Sequence, residues 1–98
     1  MSLSYITYKG KKVLYVEYTK CKTTAEMLKV LEEVKKEYEN TTHMFISIND
    51  FRGTTGSTEF MQRAKQLGKE IFDKRTLKTT VLGISGILLI RFAPFHFL

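Results

Sequence analysis

Nucleophilic catalysis needs a nucleophile, a base and an orienting group within hydrogen-bond reach of one another. Cys21, His43 and Asp50 are the residues in this chain that raise the question. Cys21 follows one strand-like run and His43 precedes another, so parallel strands would carry them to opposite ends of a sheet. Lone cysteines are mostly buried and inert, and no catalytic residue is expected. One cysteine and two histidines lack the paired ligand spacing that structural zinc requires, so no metal site is expected either.

The segment Asp50-Phe51-Arg52-Gly53-Thr54-Thr55-Gly56-Ser57 is more informative. A glycine-containing loop that enters a helix presents free N–H groups and the positive end of the helix dipole to an anion, and Arg52 stands beside it. The loop is neither a Walker A sequence nor a G-x-G-x-x-G fingerprint, so no nucleotide or other cofactor is implied. Asp50, Arg52, Gly53, Thr54, Thr55, Gly56 and Ser57 are the candidate contacts for a partner or an anion. The plain alternative is a glycine-assisted turn closed by a Ser or Thr helix cap. Tyr5, Tyr8, Tyr15 and Tyr18 alternate with lysines, a pattern that suits base stacking beside basic groups. No RNP-like sequence accompanies them, and tyrosine is also a good strand former, so nucleic acid is the least favoured partner.

Recognisable elements must position these residues. Residues 3–8 and 13–20 are rich in β-branched and aromatic types and are separated by Lys9-Gly10-Lys11-Lys12, which reads as a β-hairpin. In the second strand Leu14, Val16 and Tyr18 face one way and Val13, Tyr15 and Glu17 the other, so both faces are largely apolar. Thr23-Thr24-Ala25-Glu26 fits a capping box that opens a helix over 24–39. Its buried stripe is Met27, Leu31, Val34 and Tyr38, with Glu32 and Lys36 placed to pair across one turn. Residues 43–50 form a short apolar run of the kind seen in central parallel strands. A second helix from Ser57 or Thr58 to Phe72 carries Phe60, Ala64, Leu67 and Ile71 on one stripe. A fourth strand over 79–84 ends at Ser85-Gly86.

The order is ββαβαβ. Right-handed crossovers then make strands two, three and four parallel, with strand one antiparallel at an edge: a mostly parallel mixed sheet with flanking helices. The length of 98 residues suits a single domain over 1–98, and its 43% apolar and 27% charged residues are those of an ordinary globular chain. The net charge of +6 is uneven, with eight Lys/Arg against seven Asp/Glu up to residue 51 and eight against three beyond it. Such an excess speaks to association and not to fold. The single cysteine permits no internal disulfide, and no leader-like pattern opens the chain, so a reducing cytoplasm is the expected setting.

The hairpin from Tyr5 to Tyr18, the segment Ile48-Asn49-Asp50-Phe51-Arg52-Gly53 and the run from Thr80 to Gly86 resemble the small SpoIIAA-like, or STAS-like, bacterial domains. The resemblance spans about residues 3–87 and rests on order and spacing more than on a strict motif. It implies a mixed sheet flanked by helices and a non-enzymatic, regulatory, protein-binding role exerted through the loop after strand three and the start of helix two. Phospho-regulated members of the family carry an aspartate followed by a serine in that loop, whereas Thr55 and Gly56 occupy those places here. Thr54, Thr55 and Ser57 supply the nearby hydroxyls that phosphorylation would use. A small anionic or lipid-like ligand held between helix and sheet is the alternative to a protein partner. The family also continues past strand four with further elements, which the resemblance implies are shortened here.

The tail after Gly86 holds more apolar surface than a solvated terminus should. It is too short to cross a membrane, and Arg91 interrupts it; no transmembrane segment is expected. Its expected role is to pack on its own domain and to contribute Ile87, Leu88, Leu89, Ile90 and Phe92 to a homodimer contact.

Overall fold

In the computed structural model, residues 2–54 and 57–83 are described. They form a four-stranded sheet of order β1-β2-β3-β4, built from β1 (Leu3–Tyr8), β2 (Lys11–Glu17), β3 (Phe45–Asp50) and β4 (Thr76–Leu82). Helix α1 (Thr24–Glu39) joins β2 to β3; helix α2 (Thr58–Leu67) and a π-helical turn (Gly68–Phe72) join β3 to β4. β1 runs antiparallel to β2, and the pairs β2–β3 and β3–β4 are parallel. The class expected from the sequence, a mixed and mostly parallel α/β sheet with flanking helices, is what forms.

Several boundaries differ from expectation. The hairpin turn is only Lys9-Gly10, both at positive φ (51° and 78°), the two-residue geometry that matches strand twist. Lys11 and Lys12 therefore belong to β2 rather than to a loop, and β2 ends at Glu17, before Tyr18. β3 starts at Phe45 and not at His43. β4 starts at Thr76 and stops at Leu82, because a bulge lets Phe45 face Thr76 while Ile46 faces Lys78. Leu77 is left exposed, which breaks the alternation by which a strand is read.

The capping box forms as the sequence dictates. Thr23 Oγ1 accepts from the Glu26 N–H at 3.1 Å, and the Glu26 carboxylate accepts from the N–H groups of Thr23 and Lys22. Met27, Leu31, Val34 and Tyr38 are buried, as is Val30. Glu32, however, does not pair with Lys36: its carboxylate takes the Arg63 guanidinium of α2 at 3.1 Å. The second helix is α-helical only to Leu67, and the Asp73 N–H then bonds back to Gly68 O at 2.8 Å, five residues earlier. This wider turn places the Phe72 ring against Tyr38, 4.7 Å between centroids.

Two successive right-handed crossovers in one direction put both helices on the same side of the sheet. The core lies there, with Leu14, Val16 and Phe45 of the sheet and Leu31, Val34, Phe60 and Leu67 of the helices all buried. Two buried hydroxyl pairs bridge polar positions in that core: Ser47 with Thr79 at 2.9 Å and Tyr38 with Thr76 at 2.6 Å. Among the described residues no helix is long and apolar enough to cross a membrane. The homodimer contact expected at Ile87, Leu88, Leu89, Ile90 and Phe92, and the shortening expected after strand four, lie outside the described residues.

Candidate functional site

The parallel strands end on one side of the molecule, where both helices also begin. Asp50 closes β3 there, its side chain directed to the sheet face that the helices leave free, beside Tyr15 of β2. Tyr15 is paired with Ile48 and Glu17 with Asp50 across β2–β3, so Tyr15 and Asp50 share a face. The Tyr15 hydroxyl donates to Asp50 Oδ2 at 2.5 Å. Arg52 completes the cluster: its Nε donates to Oδ1 at 2.9 Å, its Nη2 to Oδ2 at 2.7 Å, and its backbone N–H to Oδ1 at 3.1 Å. Both carboxylate oxygens are thus used twice. Such charge-assisted, bidentate bonds are the strong ones.

The electrostatics follow from this geometry. The Arg52 guanidinium, with further hydrogen bonds from Tyr15 and the Arg52 amide, holds the Asp50 carboxyl down at about 2 against the desolvation that opposes it. The hydrogen bond to Asp50, with burial second, raises the Tyr15 hydroxyl. The Arg52 cation is further stabilised by the Asp50 carboxylate. Asp50 is fully buried whereas the Arg52 side chain is 66% exposed, so Asp50 cannot itself touch a partner. It holds Arg52 in place. A guanidinium has five N–H donors, and the two given to Asp50 leave three.

The turn that follows is closed locally. Thr54 N–H and Thr54 Oγ1 both donate to Phe51 O, at 3.0 and 2.8 Å. Gly53 at φ +78° supplies the left-handed residue this turn requires. Phe51 is buried and stacks on Tyr18, 4.3 Å between centroids and 8° between planes, which pins the turn to the core. Gly83, just after β4, packs on the other side: a Cβ there would lie 2.5–2.6 Å from Arg52 Cγ, Cα and N. Ser57 is the N-cap of α2, its Oγ accepting from the Phe60 N–H at 3.2 Å. Helix two therefore begins where the sequence placed it.

Of the residues singled out from the sequence, Asp50, Arg52, Gly53, Thr54 and Ser57 gather at this end of the sheet, with Arg52 and Gly53 exposed and Thr54 and Ser57 half-buried. Thr55 and Gly56 lie outside the described residues. The hydroxyls of Thr54 and Ser57 are already engaged, one closing the turn and the other capping the helix. Two participants were missed. Tyr15 was read as a strand residue and as one of the tyrosines that alternate with lysines, not as a partner of Asp50, since nothing local in the sequence ties it to a carboxylate 35 positions away. Gly83 was read as part of strand four, although a glycine at a strand end is a signal for close backbone approach.

The other constellations do not assemble. Cys21 follows β2 and His43 precedes β3, and because those strands are parallel the two lie at opposite ends of the sheet. Burial raises the Cys21 thiol, as do Glu26 and Glu33, which makes it a poorer nucleophile. Among the described residues no three His, Cys, Asp or Glu side chains are grouped to hold a metal. Of the four tyrosines, Tyr18 is buried, Tyr15 donates to Asp50, and Tyr5 donates to Glu37 with the Lys12 ammonium over its ring at 4.4 Å. Tyr8 alone stays well exposed, at 54%. The cavity between helices and sheet measures about 50 Å³. That is room for a few waters at roughly 15 Å³ each and about a third of the volume that benzene fills in a protein core.

Comparison with protein-family models, with curated proteins and with solved structures finds no match for the chain.

Proposed function

We propose that the chain is a non-enzymatic regulatory or protein-interaction module of STAS-like type, acting in the cytoplasm and contacting a protein partner through the turn after β3 and the first turn of α2. The observation that carries this reading is the fixed arginine. A buried carboxylate, itself held by a tyrosine hydroxyl and a backbone amide, fixes one exposed guanidinium. An arginine pre-organised in this way loses little side-chain entropy when it meets a partner, and this favours it as an interface anchor. Because Asp50 already neutralises its charge, the fitting partner offers oriented acceptors, a carboxylate or backbone carbonyls, rather than a diffuse anionic field.

The separation of Cys21 from His43 supports a binding role over a catalytic one. A cavity of about 50 Å³ argues against the small-ligand alternative, and the occupied tyrosines argue against base stacking. Affinity capture from the native host with the wild-type chain and with Arg52→Ala tests the reading, with thermal unfolding as a control for folding. The expected result is a discrete captured protein that the substitution loses while the variant still unfolds cooperatively. Equal capture by both chains, or a small molecule alone co-purifying with the wild type, would contradict it.

A further inference from the structure

A second surface lies on the face of the sheet away from the helices and shares Tyr15 with that site. Both described helices cover one face, and the opposite face presents Ile6 from β1, Val13 and Tyr15 from β2, Ile46 and Ile48 from β3, and Leu82 from β4. Their shared side follows from the pairings Ile6 with Val13, Tyr15 with Ile48, and Asp50 with Leu82. An antiparallel sheet can leave one face to water, but that face is then polar; this one is apolar through its centre. Val13 is 2% exposed, and Tyr15, Ile46, Ile48 and Leu82 are half-buried, with no described helix above them.

We infer that this face is the docking surface for residues 84–98 of the same chain. The segment begins where the face ends, directly after Gly83. It has 15 residues, nine of them Ile, Leu or Phe and one charged, Arg91. Four strands at about 4.8 Å spacing and six or seven residues at about 3.3 Å rise give a face of roughly 19 by 20 Å, or about 400 Å². Fifteen residues reach about 50 Å extended and about 22 Å as a helix, enough to cross the face in either form. A stable dimer buries about 800 Å² per partner, twice what this face offers, so a second copy seated here lacks area. A tethered segment needs less, because covalent connection gives it an effective concentration in the millimolar range.

Paramagnetic relaxation measured on the full-length, isotope-labelled chain tests this. A spin label is attached at Arg91→Cys in a Cys21→Ser background, and separately at His96→Cys, so that no apolar side chain of the tail is removed. The expected result is selective loss of the amide signals of Val13, Ile46 and Ile48, while those of Lys29 and Lys36 on the exposed side of α1 persist. A mixture of spin-labelled, isotope-free chain with isotope-labelled, spin-free chain should show no loss. Intact signals across the sheet in both labelled chains would overturn the inference. So would signal loss that appears in the mixture, because a second copy would then be the occupant.

Discussion

Asp50 shows how a single side chain changes meaning between sequence and fold. Read along the chain it is a polar residue at a strand end, grouped with the exposed loop. In the sheet it is fully buried, because the β2–β3 register brings Tyr15 to it and the next turn brings Arg52. The pair Asp50 and Arg52 is local and in principle readable, whereas burial and the tyrosine depend on a pairing that no local pattern encodes. A carboxyl held at about 2, below its unfolded value of about 3.9, contributes stability that is fully present above pH 4 or so. That stability is lost as pH falls through the folded value. The wild-type chain should therefore lose on the order of 2 kcal/mol between about pH 4 and pH 2 from this group. Asp50→Asn should cost about 2 to 3 kcal/mol at neutral pH and flatten that part of the acid limb. Denaturant unfolding at a series of pH values checks both; an unchanged acid limb in the variant would show that Asp50 does not carry it.

At the scale of elements, the parts with strong local chemistry were legible and the parts set by tertiary contacts were not. The capping box fixed the start of α1, and the spacing of its apolar residues fixed its buried side. The π-helical turn left no trace, since the apolar stripe of α2 continues through it to Ile71 and Phe72. Arg75 likewise has no partner that the local sequence would reveal. In the fold its guanidinium donates to Tyr38 O, to Thr41 O at 2.8 Å and to His43 O at 2.8 Å, and it lies 5.7 Å from the Tyr38 ring centroid. It thus caps the C-terminal end of α1, where carbonyls lack partners and a cation is favoured, and ties that end to β4. Arg75→Ala should destabilise the protein by about 2 to 4 kcal/mol, since several charge-assisted bonds are lost together. The change should also raise amide exchange in the last turn of α1 ahead of the first turn, which Thr23 and Glu26 cap independently. Uniform exchange along the helix would show that Arg75 does not hold that end.

For the whole molecule, the fold class was legible because crossover handedness leaves few arrangements for this order of elements. The side covered by helices follows from the same rule, while the apolar character of the other face comes from the residues the strands place there, Val13, Ile46 and Ile48 among them. The architecture separates two regions: an end where β3 stops, Arg52 is fixed and both helices begin, and a far end where α1 finishes and Arg75 caps it. The proposed partner recognition belongs to the first of these ends and none is proposed for the second. Photo-cross-linking in the native host measures this directly, with a photoreactive side chain in place of Glu59, exposed in the first turn of α2, or of Lys36, exposed near the end of α1. A discrete protein adduct from position 59, abolished by Arg52→Ala and absent from position 36, is the predicted result. The same adduct from both positions, or an adduct from position 36 alone, would contradict the assignment.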